Sequence, residues 1–158
     1  MDISDLISPS AVMANLKAGS KKQALQDLAR RAATLAGING KAEEREVFEV
    51  LLERERLGTT GVGAGIAIPH GKLARLDGLY GLFAKLDQPI DFEAVDEQPV
   101  DLVFVLLAPE SAGADHLKAL ARVSRLLRDR SVCERLRGCD QADAIYAILT
   151  ESAAPRAA

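Results

Sequence analysis

One of the two histidines in the chain, His70, follows a proline at the end of a glycine-rich segment, GTTGVGAGIAIPHGK at residues 58–72. Pro69 fixes its own backbone φ and favours extended geometry at Ile68, which restricts where the imidazole can point. A neutral imidazole, with an ordinary pKa of about 6.5, is a usable nucleophile at cellular pH. Glycines permit close backbone approach, and clustered N–H groups can bind an anion. The segment indicates a nucleophilic histidine beside anion-binding amides. On composition alone, a surface histidine without a function has equal weight.

The glycines do not form a nucleotide-binding motif. The P-loop pattern G-x-x-x-x-G-K-[ST] is absent. Residues 61–65, GVGAG, contain G-x-G but lack the third glycine at the dinucleotide spacing, and they precede a predicted strand rather than a helix. Nucleotide binding is therefore not favoured.

The rest of the chain predicts a single domain that can position this histidine. The 158 residues are 48% hydrophobic and 27% charged, an ordinary globular balance with enough length for a core. Helical periodicity and strand-like apolar runs alternate with turn residues. They predict a short edge strand at 12–16, helices near 20–35, 42–57, 115–129, 131–137 and 140–150, and strands at 62–68, 78–86 and 100–108. This order indicates an α/β layered domain over residues 1–150, with 151–158 as a frayed tail.

Three elements carry more specific predictions. The run DLVFVLLA at 101–108 is almost wholly apolar, which is typical of a central strand covered on both faces. SKKQ at 20–23 fits a capping box with Ser20 as the N-cap and Gln23 at N3. In the helix at 115–129, the stripe predicted to face the core is Leu117, Leu120, Ala121, Ser124 and Leu127. A basic stripe on another face, interpreted as solvated, is Lys118, Arg122 and Arg125.

Composition narrows the functional classes. The net charge of -3 argues against general binding to nucleic acid or to anionic membranes. The start, MDISDLISPS, lacks the basic and apolar regions of a secretory signal, and no run is apolar enough for a transmembrane helix. Cys133 and Cys139 do not form a C-x-x-C pair, and their spacing relative to the histidines does not support a zinc site. We therefore expect a cytoplasmic protein with reduced thiols and no bound metal or cofactor.

The glycine-rich segment also resembles the phosphorylation-site motif of the enzyme IIA family of the sugar phosphotransferase system, mannitol/fructose type. The family pattern is roughly RE…(S/T)TG(I/V)G-x-G(I/V)AIPHGK, and residues 54–72 read RERLGTTGVGAGIAIPHGK. A second family element is QPVDL, a strand and a helix-opening histidine, here QPVDLVFVLLAPESAGADHLKAL with His116. The resemblance covers about residues 3–150. Ala64 departs from the asparagine found in many members, which puts a loop hydrogen bond in doubt.

Within the family the chain is most similar to the nitrogen-regulatory (IIA-Ntr) branch, whose members share an ISDLISP-type start and an SKK-led helix and stand alone without transporter domains. The resemblance implies a mixed five-stranded sheet flanked by helices on both faces. It further implies that His70 accepts a phosphoryl group on Nε2, as tele-phosphohistidine, from an HPr-type phosphocarrier protein. Output would pass to regulatory target proteins, with sensor kinases or potassium transport proteins as candidates.

The resemblance also implies roles for residues around His70. Arg54 matches the family's active-site arginine, and His116 matches its second histidine, which would contact the phosphoryl group or tune His70. On spacing alone, Arg54 would be a solvent-exposed helix arginine paired with a glutamate, and His116 a helix N-terminal residue with a local hydrogen bond. The candidate phosphate-binding loop is Thr60, Gly61, Gly63 and Gly65.

Two other functions stay open. The same residues would serve an enzyme IIA that passes phosphate to a IIB domain during sugar uptake. A pure binding module, whose histidine is never phosphorylated, is the second alternative. In each phosphorylated case we expect a phosphotransfer component rather than a turnover enzyme with a small-molecule substrate.

Overall fold

The structure of the protein, a computed structural model, describes residues 1–38 and 40–151. The described residues form five α-helices and a six-stranded mixed sheet. The helices are α1 Lys21–Leu35, α2 Lys41–Arg56, α3 Ala114–Arg128, α4 Arg130–Arg137 and α5 Ala142–Leu149. The strands are β1 Val12–Leu16, β2 Gly61–Gly63, β3 Ile66–Ala67, β4 His70–Leu73, β5 Tyr80–Ile90 and β6 Val100–Pro109. The predicted α/β class and the edge strand at 12–16 are confirmed.

The centre of the sheet is β6. It pairs antiparallel with β5 on one side and parallel with β3 and β4 on the other, while β1 lies at the far edge, parallel to β5. Every residue from 102 to 108 is buried, as predicted for a strand covered on both faces. The cover comes from two groups of helices, with α1 against α2 in one group and α3, α4 and α5 in the other.

Two short strands, β3 and β4, lie end to end along one edge of β6. Ile66 pairs with Leu102, and His70 pairs with Leu106. Pro69 separates the two strands because it has no N–H to donate to the ladder. Taken as one interrupted strand, β3 and β4 reduce the six observed strands to the five that were predicted.

The strand predicted at 62–68 is instead a tight hairpin, and this part of the prediction is wrong. β2 and β3 pair antiparallel around Ala64 and Gly65, whose φ angles are 57° and 80°. Two successive positive φ angles are what a two-residue type I′ turn requires. Asn-Gly is the usual sequence for that turn, and the alanine at position 64 removed the signal from the sequence.

The backbone conformation of Ala64 leads to a stability prediction. An alanine in the left-handed region is strained, whereas asparagine tolerates it. We expect Ala64→Asn to raise the free energy of unfolding by about 1 kcal/mol, measured by urea unfolding. Ala64→Val should lower it, because β-branched residues tolerate positive φ least. The reverse order of these two variants would contradict the assigned turn.

The predicted start of α1 is confirmed with one change. Ser20 is the N-cap and its hydroxyl accepts the N–H of Gln23 at 3.1 Å. The Gln23 side chain reaches back to the N–H of Gly19 at 3.1 Å instead of that of Ser20. The N–H groups of Gly19 and Gln23 both have side-chain hydrogen-bond partners, so the motif still fixes where the helix begins.

The predicted core-facing stripe of α3 is partly wrong: Leu127 is buried and Leu120 packs against the core, but Leu117 and Ala121 are exposed. The buried face consists of His116, Ala119, Val123 and Leu127, whereas Leu117 is 66% exposed. Ala119 and Val123, which the prediction left out, are completely buried. This rotation of α3 turns His116 inward.

The start of the predicted tail is tied to the fold. Glu151 accepts two hydrogen bonds from Arg135, at 2.6 and 2.8 Å. Residues 152–158 of that predicted tail lie outside the described residues.

Candidate active site

His70 begins β4 and is partly buried. Its Nδ1 lies 2.9 Å from the carbonyl oxygen of Ile68. A carbonyl oxygen can only accept a hydrogen bond, so Nδ1 must carry the proton. The carbonyl of Pro69 accepts the N–H of Leu106 at 2.9 Å, which fixes the backbone between Ile68 and His70. The ring is therefore held in one tautomer, and its other nitrogen, Nε2, keeps a lone pair.

Arg54, in the last turn of α2, contacts that second nitrogen. Its Nε donates to His70 Nε2 at 3.2 Å, and its Nη1 donates to the carbonyl of Gly58 at 2.9 Å. A guanidinium has no acceptor, so His70 Nε2 must accept. The two contacts of the imidazole thus require the same tautomer. The structure brings Arg54 to His70 rather than pairing it with a glutamate of its own helix.

A glycine allows α2 to come this close. At Gly71, the residue after His70, a Cβ atom would lie 2.3 Å from Cγ1 of Val50 on α2. Val50 is one helical turn before Arg54, on the same face of the helix. The absence of a side chain at position 71 therefore lets α2 lie against β4 and extend Arg54 to the imidazole.

His116, from a different helix, lies next to the His70 ring. It lies in the first turn of α3, is 6% exposed, and its ring centroid is 5.7 Å from that of His70, with the planes tilted by 48°. Its Nδ1 is buried without a hydrogen-bond partner among the described residues. An unpaired buried nitrogen is costly, which is typical of a group reserved for a function. The structure thus brings together His70, Arg54 and His116.

Both histidines are held neutral. Burial lowers the pKa of His70 below its ordinary value of 6.5, and Arg54 lowers it further, while the bond to Ile68 and the charge of Glu55 act in the opposite direction. Burial also lowers the pKa of His116, and His70 and Lys72 add to that effect. A neutral imidazole at pH 7 is the nucleophilic form.

These lowered pKa values predict the pH dependence of stability. Above pH 6.5 the two rings are neutral in both the folded and unfolded states, so their contribution is fully present. As the pH falls through 6.5 towards the folded pKa values, the unfolded state binds protons first and the free energy of unfolding falls. We expect the wild type to lose more stability between pH 7.5 and 5.5, by urea unfolding, than a His70→Asn, His116→Asn double variant. Equal losses would contradict the assignment.

Two N–H groups of the predicted phosphate-binding loop already have partners within the fold. The N–H groups of Thr60 and Gly61 already donate to Glu55 and to the Thr59 hydroxyl. Gly63 and Gly65 lie at the hairpin turn before β3, whereas His70 begins β4. On β6, the partner of Ile66 is Leu102 and the partner of His70 is Leu106, four residues further on. Ile66, at the end of the hairpin turn, is therefore about 13 Å from His70 along the strand direction.

The hairpin glycines have a structural role instead. A Cβ at Gly65 would lie 2.5 Å from Nη2 of Arg137 and 2.9 Å from Oδ1 of Asp101. Those two side chains form a bidentate ion pair, and Arg137 also donates to the carbonyl of Ala64 at 2.9 Å. Gly65 is therefore required for the packing of this ion pair against the hairpin.

Two groups near the site were missed from the sequence. One is the carbonyl of Ile68, a backbone atom that no side-chain pattern reports. The other is Glu55, which is 8% exposed and interacts with Thr60 and Lys21. In ERER at 53–56 it resembles its exposed neighbours, so only its position one residue after Arg54 distinguished it.

Other kinds of site have less support. Within residues 1–38 and 40–151, no three His, Cys, Asp or Glu side chains are grouped so as to hold a metal ion. The described helices include none with the length and apolar character needed to cross a bilayer. Cys133 is buried, and burial raises the pKa of its thiol, which keeps it protonated.

The fold and site define a class of protein: a single α/β domain with a partly buried imidazole at the edge of its sheet, held by an arginine. The chain belongs to the EIIA 2 family of the phosphoenolpyruvate-dependent sugar phosphotransferase system, whose model matches residues 5–152. It is 63% identical over 149 residues to a nitrogen regulatory protein of Bradyrhizobium diazoefficiens, covering 94% of this chain and 95% of that protein.

Other relatives agree on the branch. A nitrogen regulatory protein of Klebsiella oxytoca is 40% identical over 154 residues, covering 96% of this chain and 92% of that protein. The crystal structure of the nitrogen regulatory protein IIA-Ntr from Neisseria meningitidis superposes with a TM-score of 0.86 at 34% identity, covering 94% of this chain and 99% of that one. The predicted family and its nitrogen-regulatory branch are confirmed.

Proposed function

We propose that His70 accepts a phosphoryl group on Nε2 from an HPr-type phosphocarrier protein and that the protein signals through phosphorylation-dependent binding. The observation that carries this is the tautomer of His70. Ile68 holds the proton on Nδ1, and Arg54 donates to Nε2, so the reactive lone pair is on the ring nitrogen farther from the backbone.

Phosphoryl transfer at this site needs little more than position and charge. The Nε2 lone pair forms a bond to phosphorus while the N–P bond of the carrier's phosphohistidine breaks, its electron pair returning to the carrier's imidazole. Charge spreads over three equatorial oxygens during the transfer. Arg54 moves its N–H donors from Nε2 to those oxygens, and the Ile68 carbonyl stabilises the positive charge that develops on the His70 ring.

His116 supports the same step. Its neutral ring, next to that of His70, carries one N–H that can donate to a phosphoryl oxygen. The surrounding site is partly open rather than enclosed, which fits a protein donor better than a buried metabolite.

Regulation follows from the added charge. Phosphorylation places close to two negative charges on a partly buried ring, more than the single positive charge of Arg54 neutralises. A target protein docked over His70 would be repelled by this charge, so the two forms bind different partners. Candidate targets are sensor kinases and potassium transport proteins, in the cytoplasm where the carrier is expected.

The alternative is an enzyme IIA that passes its phosphoryl group to a IIB domain during sugar uptake. The matching family is described as part of a sugar phosphotransferase system, and the same histidine would serve it. Consumption of a sugar coupled to phosphate transfer from this protein to a IIB domain would establish the alternative.

Intact mass measured after incubation with phosphoenolpyruvate, enzyme I and an HPr-type carrier tests the acceptor role. We expect one acid-labile phosphoryl group on the wild type and on His116→Ala, but none on His70→Ala. An uncharged wild type, with the carrier shown to be charged, would reject the proposal for that carrier and favour a pure binding module.

A further inference from the structure

A buried carboxylate next to Arg54 has no part in the phosphoryl transfer described above. Glu55 is only 8% exposed, although it lies in the last turn of α2 among other charged residues. Burying an ionised carboxylate is costly unless partners surround it. Here it has three contacts, which indicate that its place in the structure is specific.

The three contacts join separate elements of the fold. Glu55 Oε1 accepts the N–H of Thr60 at 2.9 Å, and Oε2 accepts the Thr60 hydroxyl. The ammonium of Lys21, in the first turn of α1, lies 3.0 Å from Oε1. Lys21 is fixed in turn by the Phe92 ring, 4.7 Å from its Nζ to the centroid, and by Glu93 at 3.6 Å.

Thr60 continues the connection to His70. Its carbonyl oxygen accepts the N–H of Ile68 at 3.0 Å. The carbonyl of Ile68 then accepts the proton on Nδ1 of His70 at 2.9 Å. Three hydrogen-bonded contacts, joined by the backbone of Thr60 and of Ile68, therefore connect Glu55 to the imidazole.

Consecutive residues of α2 also hold the same loop at two points. Arg54 binds the carbonyl of Gly58, and Glu55 binds the N–H and hydroxyl of Thr60. Arg54 contacts Nε2 of His70 directly, while Glu55 acts on Nδ1 through the series above. Two adjacent residues of one helix turn thus position both nitrogens of the imidazole, Arg54 directly and Glu55 indirectly.

We propose that Glu55 is a positioning residue for phosphoryl acceptance, which fixes the loop 58–60 and, through Thr60 and Ile68, the Nδ1–H tautomer of His70. The inference rests on the proposed function. It assigns Thr60 to the support of the imidazole rather than to phosphate binding.

Substitutions at Glu55 test the proposal with a matched control. Glu55→Leu keeps most of the volume but removes both acceptors. Glu55→Gln keeps an acceptor for the Thr60 N–H and a hydrogen bond to its hydroxyl. Glu53→Leu changes an exposed glutamate of the same helix, whose side chain is 66% exposed.

We expect Glu55→Leu to lower the maximal rate of phosphorylation by about tenfold or more, with little change in the half-saturating carrier concentration. Glu55→Gln should restore most of the rate, and Glu53→Leu should match the wild type.

Two further measurements separate positioning from a general loss of stability. In unphosphorylated protein, long-range 1H–15N spectra report which nitrogen of His70 carries the proton. We expect an Nε2–H population to appear in Glu55→Leu and in Thr60→Val, but not in the wild type or Glu53→Leu. The effect of Thr60→Val on the rate should be large in the wild type and small in Glu55→Leu, because both variants break the same series. If Glu55→Leu does not fold, Thr60→Val with the tautomer spectrum carries the test.

Wild-type tautomer and rate in Glu55→Leu, or additive effects of Glu55→Leu and Thr60→Val, would overturn the proposal. A wild type that accepts no phosphoryl group would count against the proposed function, while the tautomer spectra would still decide the role of Glu55.

Discussion

Arg54→Lys is expected to lower the rate of His70 phosphorylation by about a hundredfold. Lysine keeps the positive charge but has one donor nitrogen in place of the two, Nε and Nη1, that donate to His70 Nε2 and to the Gly58 carbonyl in a fixed plane. During transfer it also loses the planar pair of donors that fits two phosphoryl oxygens. The measurement is single-turnover phosphorylation by charged carrier, followed by intact mass.

The chain provides a matched control for this variant. Arg56 is two residues further along the same helix, has a side chain that is 60% exposed, and pairs with Glu53 rather than with the site. Arg56→Lys should therefore leave the rate unchanged. A similar fall in both variants would show that the helix end tolerates no lysine, and an unchanged rate in Arg54→Lys would remove Arg54 from the transfer step.

Gly71→Ala is expected to damage both stability and phosphorylation. The new methyl group would meet Cγ1 of Val50 at 2.3 Å, so α2 must move away from β4. Overpacking of this kind costs about 1–3 kcal/mol in the free energy of unfolding. Because Arg54 is one turn beyond Val50, we also expect the phosphorylation rate to fall by about tenfold or more. Urea unfolding and the single-turnover assay measure the two effects.

A second substitution tests the cause. Val50→Ala removes the methyl group that the new side chain would meet, so the Gly71→Ala, Val50→Ala double variant should regain most of the rate lost in Gly71→Ala. Gly78→Ala is the control, since a Cβ there would have no neighbour within 4 Å. Failure of the double variant to recover would show that position 71 matters for another reason, such as backbone freedom.

The sequence predicted the centre of the site better than its surroundings. Pro69 and the apolar run before it were sufficient to predict an extended backbone that presents His70, and the resemblance to the enzyme IIA motif brought in Arg54 and His116. The structure places these three side chains together. The physical reason for Gly71 could not be read from the sequence, because its neighbour Val50 is distant along the chain.

The errors have specific physical origins. The hairpin at 61–67 was hidden because Ala64 occupies a left-handed position that usually holds asparagine. The glycines of this hairpin were predicted to bind phosphate, but Gly65 is where the Arg137–Asp101 pair packs against the turn. The stripe on α3 was displaced because Leu117 was taken as a core residue, whereas Ala119 and Val123 are buried.

The most direct test of the central claim uses protein labelled with 15N-histidine. The labelled protein is phosphorylated by the charged carrier, and long-range 1H–15N spectra then report the state of each ring nitrogen. The account predicts that His70 alone is modified, that the phosphoryl group is on Nε2, and that the proton stays on Nδ1, bound to the carbonyl of Ile68. A phosphoryl group on Nδ1 of His70, or on His116, would contradict it.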